Sequence, residues 1–475
     1  MVTDRLRIAL LVYRGNPHSG GQGVYTRYLA RELVELGHHV TVFAGQPWPV
    51  LDAGVGFVGV PSLDLYRQPD PFRRPRIGEM RSRIDVAEYA TMCTGGFPEP
   101  RTFSWRVRRL LAARRDDFDV VHDNQTFGRS LLGVMADGWP LVGTCHHPIT
   151  VDRTLELAHA RGLRRQLSLR RWYGFLAMQK RVARRIPRIL TVSESSKRDI
   201  VEQMDVAADR LAVVPIGVDH ERFRPRRDID RVPGRIMTTA SADVPLKGLI
   251  PLLEAVAKLR VEHPDAHLVV VGRLREESPV ARRIADLGLG RVVTFTPGVS
   301  DERLTDMFAE ASVAVVPSLY EGFSLPAVEA MASGTPLVAT TGGALPEVAG
   351  PDGVAALTVP PNDPGALAGA IGRVLDEPDL AARLSIAGRR RVLTHFTWQA
   401  CAATTADSYR WALEHHRSGR PGDGREQGGP VRPTPPAADL VARVGVGARG
   451  PAVPGADAVE RVPPVAGAVA GGAGC

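Results

Sequence analysis

The sequence predicts an α/β protein of two domains, each a parallel sheet flanked by helices. Three observations carry this reading. The chain has 475 residues, too many for one ordinary core. Short continuous apolar runs alternate with segments of helical spacing, as in βαβ units whose strands are buried on both faces. The alternation stops around Pro215 to Pro225 and then begins again.

Arg7–Tyr13 (RIALLVY) is the first strand. Gly23–Leu36 follows with helical spacing and stops at Gly37, a residue suited to a helix C-terminus. Val40–Phe43, Val120–His122, Pro140–Cys145 and Ile189–Val192 continue the strand series. Residues 62–118 break the rhythm. They are rich in Arg and Pro and read as a long excursion over the domain surface, of the kind that forms lids and binding loops. Beyond the join, Arg235–Thr239, His267–Val271, Val292–Phe295, Val313–Val316 and Pro336–Ala339 are strands. Gly248–Val261 and Asp301–Ala311 are helical between them. Residues 418–475 are Gly, Pro, Ala and Val with scattered charge, which cannot bury enough surface to offset chain entropy and predict a disordered tail.

Composition narrows the function classes. Apolar residues make up 44% of the chain and charged residues 24%, as in ordinary globular proteins. Cys93, Cys145, Cys401 and Cys475 stand at no metal-ligand or redox spacing, which predicts a cytoplasmic protein with reduced thiols and no metal. No apolar stretch reaches the ~18 residues of a membrane span. Ile8–Tyr13, between Arg7 and Arg14, reads as a strand and not as a leader. The net charge is +8, and residues 151–190 hold eleven Lys and Arg against two acids. Apolar and aromatic residues interleave with these charges over 160–188. That pattern fits a basic amphipathic helix in contact with an anionic membrane surface, on its inner face, and it also fits a core helix with a solvated basic face. No nucleic-acid-binding motif accompanies the charge, so no nucleic-acid partner is expected.

The most informative stretch runs from Glu321 to Glu329 (EGFSLPAVE). It follows an apolar strand and opens a helix. Pro326 suits a first helical turn, where a missing N–H costs nothing. Free amides and the helix dipole there favour an anion by about 0.3–1 kcal/mol, or up to ~2 when partly buried. Gly322 lets a ligand approach the backbone. Two carboxylates thus flank an anion site, although the same residues also fit a capped helix bearing two surface acids.

This stretch resembles the E-x7-E signature of retaining glycosyltransferases of family 4. That family has the GT-B fold, two Rossmann-like domains facing across a cleft. The resemblance implies that Glu321 lies against the donor sugar and that Glu329 accepts hydrogen bonds from the ribose. It places the backbone of Gly322, Phe323, Ser324 and Leu325 beside the sugar and diphosphate. Gly20 and Gly21 resemble the family's diphosphate-facing glycine loop. Thr144-Cys145-His146 resembles the T-x-H whose histidine sits by the donor sugar, here His146. Pro215–Asp219 resembles the interdomain segment, Gly342–Glu347 the G-G-x-x-E loop, and Phe396–Trp398 the start of the helix that crosses back. The likeness runs over about residues 5–416. It implies an acceptor domain at 1–216, a donor domain at 217–395 and a crossover helix at 396–417.

One position departs from the pattern. The family places an arginine, then a lysine, against the donor diphosphate. Lys247 fits the lysine, but the arginine position holds Ser241. A missing donor to a developing oxyanion costs roughly 2.7–4 kcal/mol in other enzymes, and Arg273, after the next strand, is the candidate replacement. The implied reaction moves a hexose, with retention, from a UDP- or GDP-sugar to a hydroxyl of a lipid or glycan, without cofactor or metal. Asn124 and Gln125, with the 62–118 excursion, are the expected acceptor contacts. Two alternatives stand beside it. A nucleotide-sugar epimerase of the same architecture would lack E-x7-E, and a catalytically silent family member would fit the missing arginine.

Overall fold

The computed structural model describes residues 5–16, 21–67, 70–160, 162–240 and 244–418. The first half forms a seven-stranded sheet in the order β3-β2-β1-β4-β5-β6-β7. Its strands are β1 (Arg7–Val12), β2 (His39–Ala44), β3 (Gly56–Gly59), β4 (Val120–Asn124), β5 (Leu141–Cys145), β6 (Arg188–Thr191) and β7 (Leu211–Val213). The second half forms a six-stranded sheet in the order β10-β9-β8-β11-β12-β13. Here the strands are β8 (Val232–Thr239), β9 (His267–Val271), β10 (Val293–Thr296), β11 (Ala311–Val316), β12 (Leu337–Thr340) and β13 (Leu357–Val359). The neighbouring strands pair in parallel, for example Ile8 beside Val40 and Met237 beside Val269. Each sheet reverses direction once, between β1 and β4 and between β8 and β11. Helices leave such a switch point on opposite faces and open a crevice at the strands' carboxyl ends.

The local sequence explains the elements around that crevice. Residues 8–12 of β1 are all fully buried, as a central parallel strand requires. The Gln22–Glu35 helix buries Tyr25, Leu29 and Leu33, one face at a spacing of four. Gly37 ends it at φ 89°, while the Gly37 and His38 amides return to Val34 and Leu33 at 2.8 and 3.0 Å. The last described helix, Trp398–Ser418, leaves the second half and packs on the first. Trp398 stacks on Tyr28 with centroids 5.3 Å apart. The Tyr409 hydroxyl lies 2.6 Å from His122 Nδ1 on β4. One apolar core therefore runs through both halves, from Ile8 and Leu29 through Trp398 to Phe323 and Met331.

Two expectations need correction. Residues 62–118 are not an irregular excursion. They contain the helices Arg83–Cys93 and Glu99–Ala112, the second of which leads into β4. Phe103, Val107 and Leu111 bury its inner face, and the arginines around them hide that spacing in the sequence. The 160–188 segment is not one amphipathic helix. It breaks at Tyr173–Phe175 between helices Leu163–Trp172 and Leu176–Ala183. Leu169, Tyr173, Phe175, Leu176 and Val182 belong to the core, which leaves Leu163 and Leu167 exposed. Strands β3, β7 and β13, edge strands of three or four residues, add to the expected series. The tail beyond Ser418 lies outside the described residues.

Candidate active site

The carboxyl ends of the two sheets face each other across a cavity of about 380 Å³. Gly21, Tyr25, His146 and His147 line it from the first half, and Lys247 and Glu321 to Pro326 from the second. Lys247 follows β8 and Glu321 follows β11, the two strands that flank the second switch point. The loops are tied by the Leu319 amide, which donates to Leu246 O at 2.7 Å. Gly248 makes this approach feasible. Its φ is 66°, and a Cβ there would lie 1.9 Å from Pro317 O. Lys247 Nζ donates to both Glu321 oxygens, at 2.8 and 3.1 Å. The Ser318 hydroxyl also donates to Glu321 Oε1, at 2.7 Å, so the carboxylate is fixed from two sides.

The next residues hold strain. Ser324 stands at φ 111°, a region that residues with a side chain rarely occupy, immediately before the Leu325–Ala332 helix. Its hydroxyl is buried and makes no hydrogen bond among the described residues. The Phe323 and Ser324 amides donate no hydrogen bond to another described residue. A helix N-terminus with unspent amides beside a fixed lysine can hold a polyanion. Glu329 lies further along this helix, half-buried and outside the cavity lining. Burial pushes its carboxyl up to about 7, with Asp301 adding and Arg222 opposing.

The first half contributes a buried polar lattice. The Asn124 amide donates to Thr26 Oγ1 at 3.2 Å, and its carbonyl accepts from His146 Nε2 at 2.8 Å. His146 thus carries a proton on Nε2, and burial, helped by His147 and His122, lowers its pKa to about 3, which keeps the ring neutral. Tyr25 meets the ring edge-on at 4.6 Å. Gln125 Oε1 accepts the His146 amide at 2.7 Å, while Gln125 Nε2 donates to His147 O at 3.0 Å. Asn124 and Gln125, expected against the acceptor, are therefore buried behind the cavity wall, with these groups turned to the histidine loop.

The remaining expected residues divide. Gly21 lines the cavity, whereas Gly20 and Ser241 lie outside the described residues. Arg273 is exposed and has no hydrogen bond or ion pair among the described residues. It leaves the sheet beside the carboxyl end of β8, because β9 pairs with β8 and a Cβ on Gly272 would lie 2.6 Å from Ala240 O. Among the described residues, no cluster of three His, Cys, Asp or Glu side chains could hold a metal ion. Nor is any helix among them long and apolar enough to cross a membrane.

Two family models match the chain: Glycosyltransferase Family 4 over residues 19–222 and Glycosyl transferases group 1 over 226–391. A protein of Mycolicibacterium hassiacum named MMP alpha-(1->4)-mannosyltransferase is 56% identical over 409 residues, covering 86% of this chain and 98% of its own. The chain is a family 4 glycosyltransferase. Its fold is GT-B, and the sucrose-phosphate synthase of Thermosynechococcus elongatus shares it. That structure has a TM-score of 0.64 and 24% identity, covering 86% of this chain and 99% of its own. The D-inositol 3-phosphate glycosyltransferase of Streptomyces griseus is 30% identical over 437 residues, covering 85% of this chain and 87% of its own.

Several cavity residues of the transferase carried no sequence signal. Tyr25 sits in an ordinary helical stripe. His147 and Asp152, 3.0 Å apart, lie on the first-half wall.

Proposed function

We propose that this transferase moves a mannosyl residue from GDP-mannose to a hydroxyl of an α-linked mannoside, retaining the anomeric configuration. One observation carries the reading: Lys247 is locked to Glu321 beside the unspent Phe323 and Ser324 amides, at the switch point of the second sheet. In this reading Lys247 and the amides meet the diphosphate. They stabilise the charge that grows on it as the sugar leaves, a kind of interaction worth roughly 2.7–4 kcal/mol per donor. Glu321, on release by the lysine, accepts a sugar hydroxyl. Glu329 accepts the ribose hydroxyls, and Arg273 stands in for the arginine absent at position 241. His146 stays neutral on the cavity wall, and Asn124 and Gln125 hold it there.

The bond from C1 to the diphosphate oxygen breaks, and the acceptor oxygen bonds to C1 on the same face. The acceptor proton passes to the departing phosphate oxygen. An α-linked product from an α-linked donor is net retention, and the name of the 56% identical relative supports α-mannosyl transfer. The acceptor is a glycan and not a lipid in this reading, because only Leu163 and Leu167 of the basic segment remain exposed as large apolar groups.

The test offers GDP-mannose, UDP-glucose and ADP-glucose with 4-nitrophenyl α-D-mannopyranoside. Product from GDP-mannose alone, with an α anomeric signal by NMR, is the expected result. Calorimetry with GDP accompanies it, and Lys247→Ala and Glu329→Ala each weaken binding. A wild-type protein that binds no nucleoside diphosphate would instead be a silent member of the family.

A further inference from the structure

Contacts across the cleft converge on the start of one helix, Glu194–Met204 of the first half. Ser193 caps this helix by accepting the Ser196 amide at 3.0 Å, and its hydroxyl donates to the carbonyl of Gly322 at 2.7 Å. The Ser196 hydroxyl donates to the same carbonyl at 3.0 Å. From the second half, the Glu347 carboxylate accepts the Glu194 and Ser195 amides, both at 2.7 Å. It is a helix-capping carboxylate supplied by the other domain, where the helix dipole favours negative charge. Further along the helix, Asp199 accepts the Tyr320 hydroxyl.

The second-half partners are all attached to Glu321. Tyr320 and Gly322 are its chain neighbours. Glu347 follows Ala344, whose amide donates to Glu321 O at 2.8 Å. Gly343 lies against the Glu321 backbone so closely that a Cβ would come within 2.3 Å of Glu321 O. The Gly322 carbonyl matters most. In a trans peptide the C=O and the next N–H point in opposite directions. Two serine hydroxyls fix this C=O toward the first half, so the unspent Phe323 N–H is turned away from them.

We propose that Ser193, Ser196 and Glu347 are positioning residues for sugar transfer. They latch the two halves together and, through the Gly322 carbonyl, hold the Phe323 amide in the orientation that meets the leaving diphosphate. The inference rests on the donor-site reading above. Nucleotide affinity in that reading comes mainly from Lys247 and Glu329, both in the second half, while the Phe323 amide acts chiefly on the charge that grows on the diphosphate as the sugar leaves. Releasing the latch therefore disturbs orientation and water exclusion and leaves GDP binding in place.

The experiment compares wild type with Glu347→Ala and with the double variant Ser193→Ala/Ser196→Ala, using GDP-mannose and 4-nitrophenyl α-D-mannopyranoside. We expect kcat to fall about 100-fold, as for a small misplacement of reacting groups. The Kd for GDP stays within about threefold of wild type, and Ser193→Thr, which keeps the hydroxyl, retains kcat to a similar factor. Small-angle scattering then reports a larger radius of gyration for the alanine variants. A kcat unchanged in both variants overturns the proposal. So does a joint collapse of kcat and GDP affinity, because it marks damage to the donor site itself. Glu347→Gln keeps the side chain's shape and supplies the same readings if an alanine variant fails to fold. Failure of the donor reading looks different: wild type itself then binds no GDP. In that case scattering alone decides the latch, supported by expansion of the variants and overturned by none.

Discussion

The two halves share a strand order and differ in where they keep their polar groups. In the first half these groups stand inside the sheet. His122, Asp123 and Asn124 are the last three residues of β4 and are fully buried. His122 bonds to Tyr409 and Thr144 at 2.6 and 2.7 Å, and Asn124 to Thr26 and His146. In the second half β11 is apolar through Val313–Val316, and the chemistry stands on the loops beyond, at Lys247, Glu321 and Ser324. A polar group spent on partners inside a sheet serves as scaffold. A polar group on a strained loop end, with amides to spare, can serve a ligand. The first half thus gives a rigid wall, and in the proposed function the second half supplies the charge stabilisation.

That contrast predicts how substitutions divide. The largest effect falls on the second half: Glu321→Gln and Lys247→Ala should each lower kcat by ~10²–10³-fold with the thermal midpoint little changed. A loss of midpoint that matched the loss of rate would make the pair structural and erase the contrast.

Glu329 sharpens it from the side of stability. Burial raises its folded-state carboxyl from the ordinary glutamate range to about 7. The folded state therefore holds a proton that the unfolded state has lost, and stability falls as pH rises from about 4.5 through 7. Glu329→Gln removes that cost. It should stabilise the protein at pH 8 by roughly 1–3 kcal/mol, and by little at pH 4.5, while weakening GDP binding. Urea melts at the two pH values read the difference, and an equal effect at both would mean the carboxyl is not raised.

In the first half, Asn124→Ala should cost about 1–3 kcal/mol, because it strips the buried His146 Nε2–H of its acceptor. Unchanged stability together with a raised acceptor KM would return Asn124 to the acceptor side of the cavity. Since His146 is lowered to about 3, it stays neutral over the working range. Its ionisation then adds no limb to the rate profile near pH 6.5.

The smallest effect belongs to the basic segment. Reversing Arg164, Arg165, Arg170 and Arg171 to Glu should change stability by no more than ~0.5 kcal/mol and leave transfer to a soluble mannoside intact. Wild-type binding to anionic vesicles, lost on reversal, would restore a lipid surface as a partner.

The sequence by itself determined the α/β class, most of the central strands and the turn from strand to helix over residues 321–329. These depend on neighbours in the chain: continuous apolar runs for buried strands, and Pro326 after two flanking residues for a helix start. Even Ser241, in place of an arginine, was legible as a departure. Only the tertiary structure decided which partner each polar group takes. Glu347 meets the Glu194 amide 153 residues away, and Tyr409 meets His122 across 287. It also decided that Asn124 and Gln125 support a histidine and that Phe103, Val107 and Leu111 face a core. Hydrogen bonds between distant segments are fixed by where two rigid sheets carry their loop ends, and no local spacing encodes that placement.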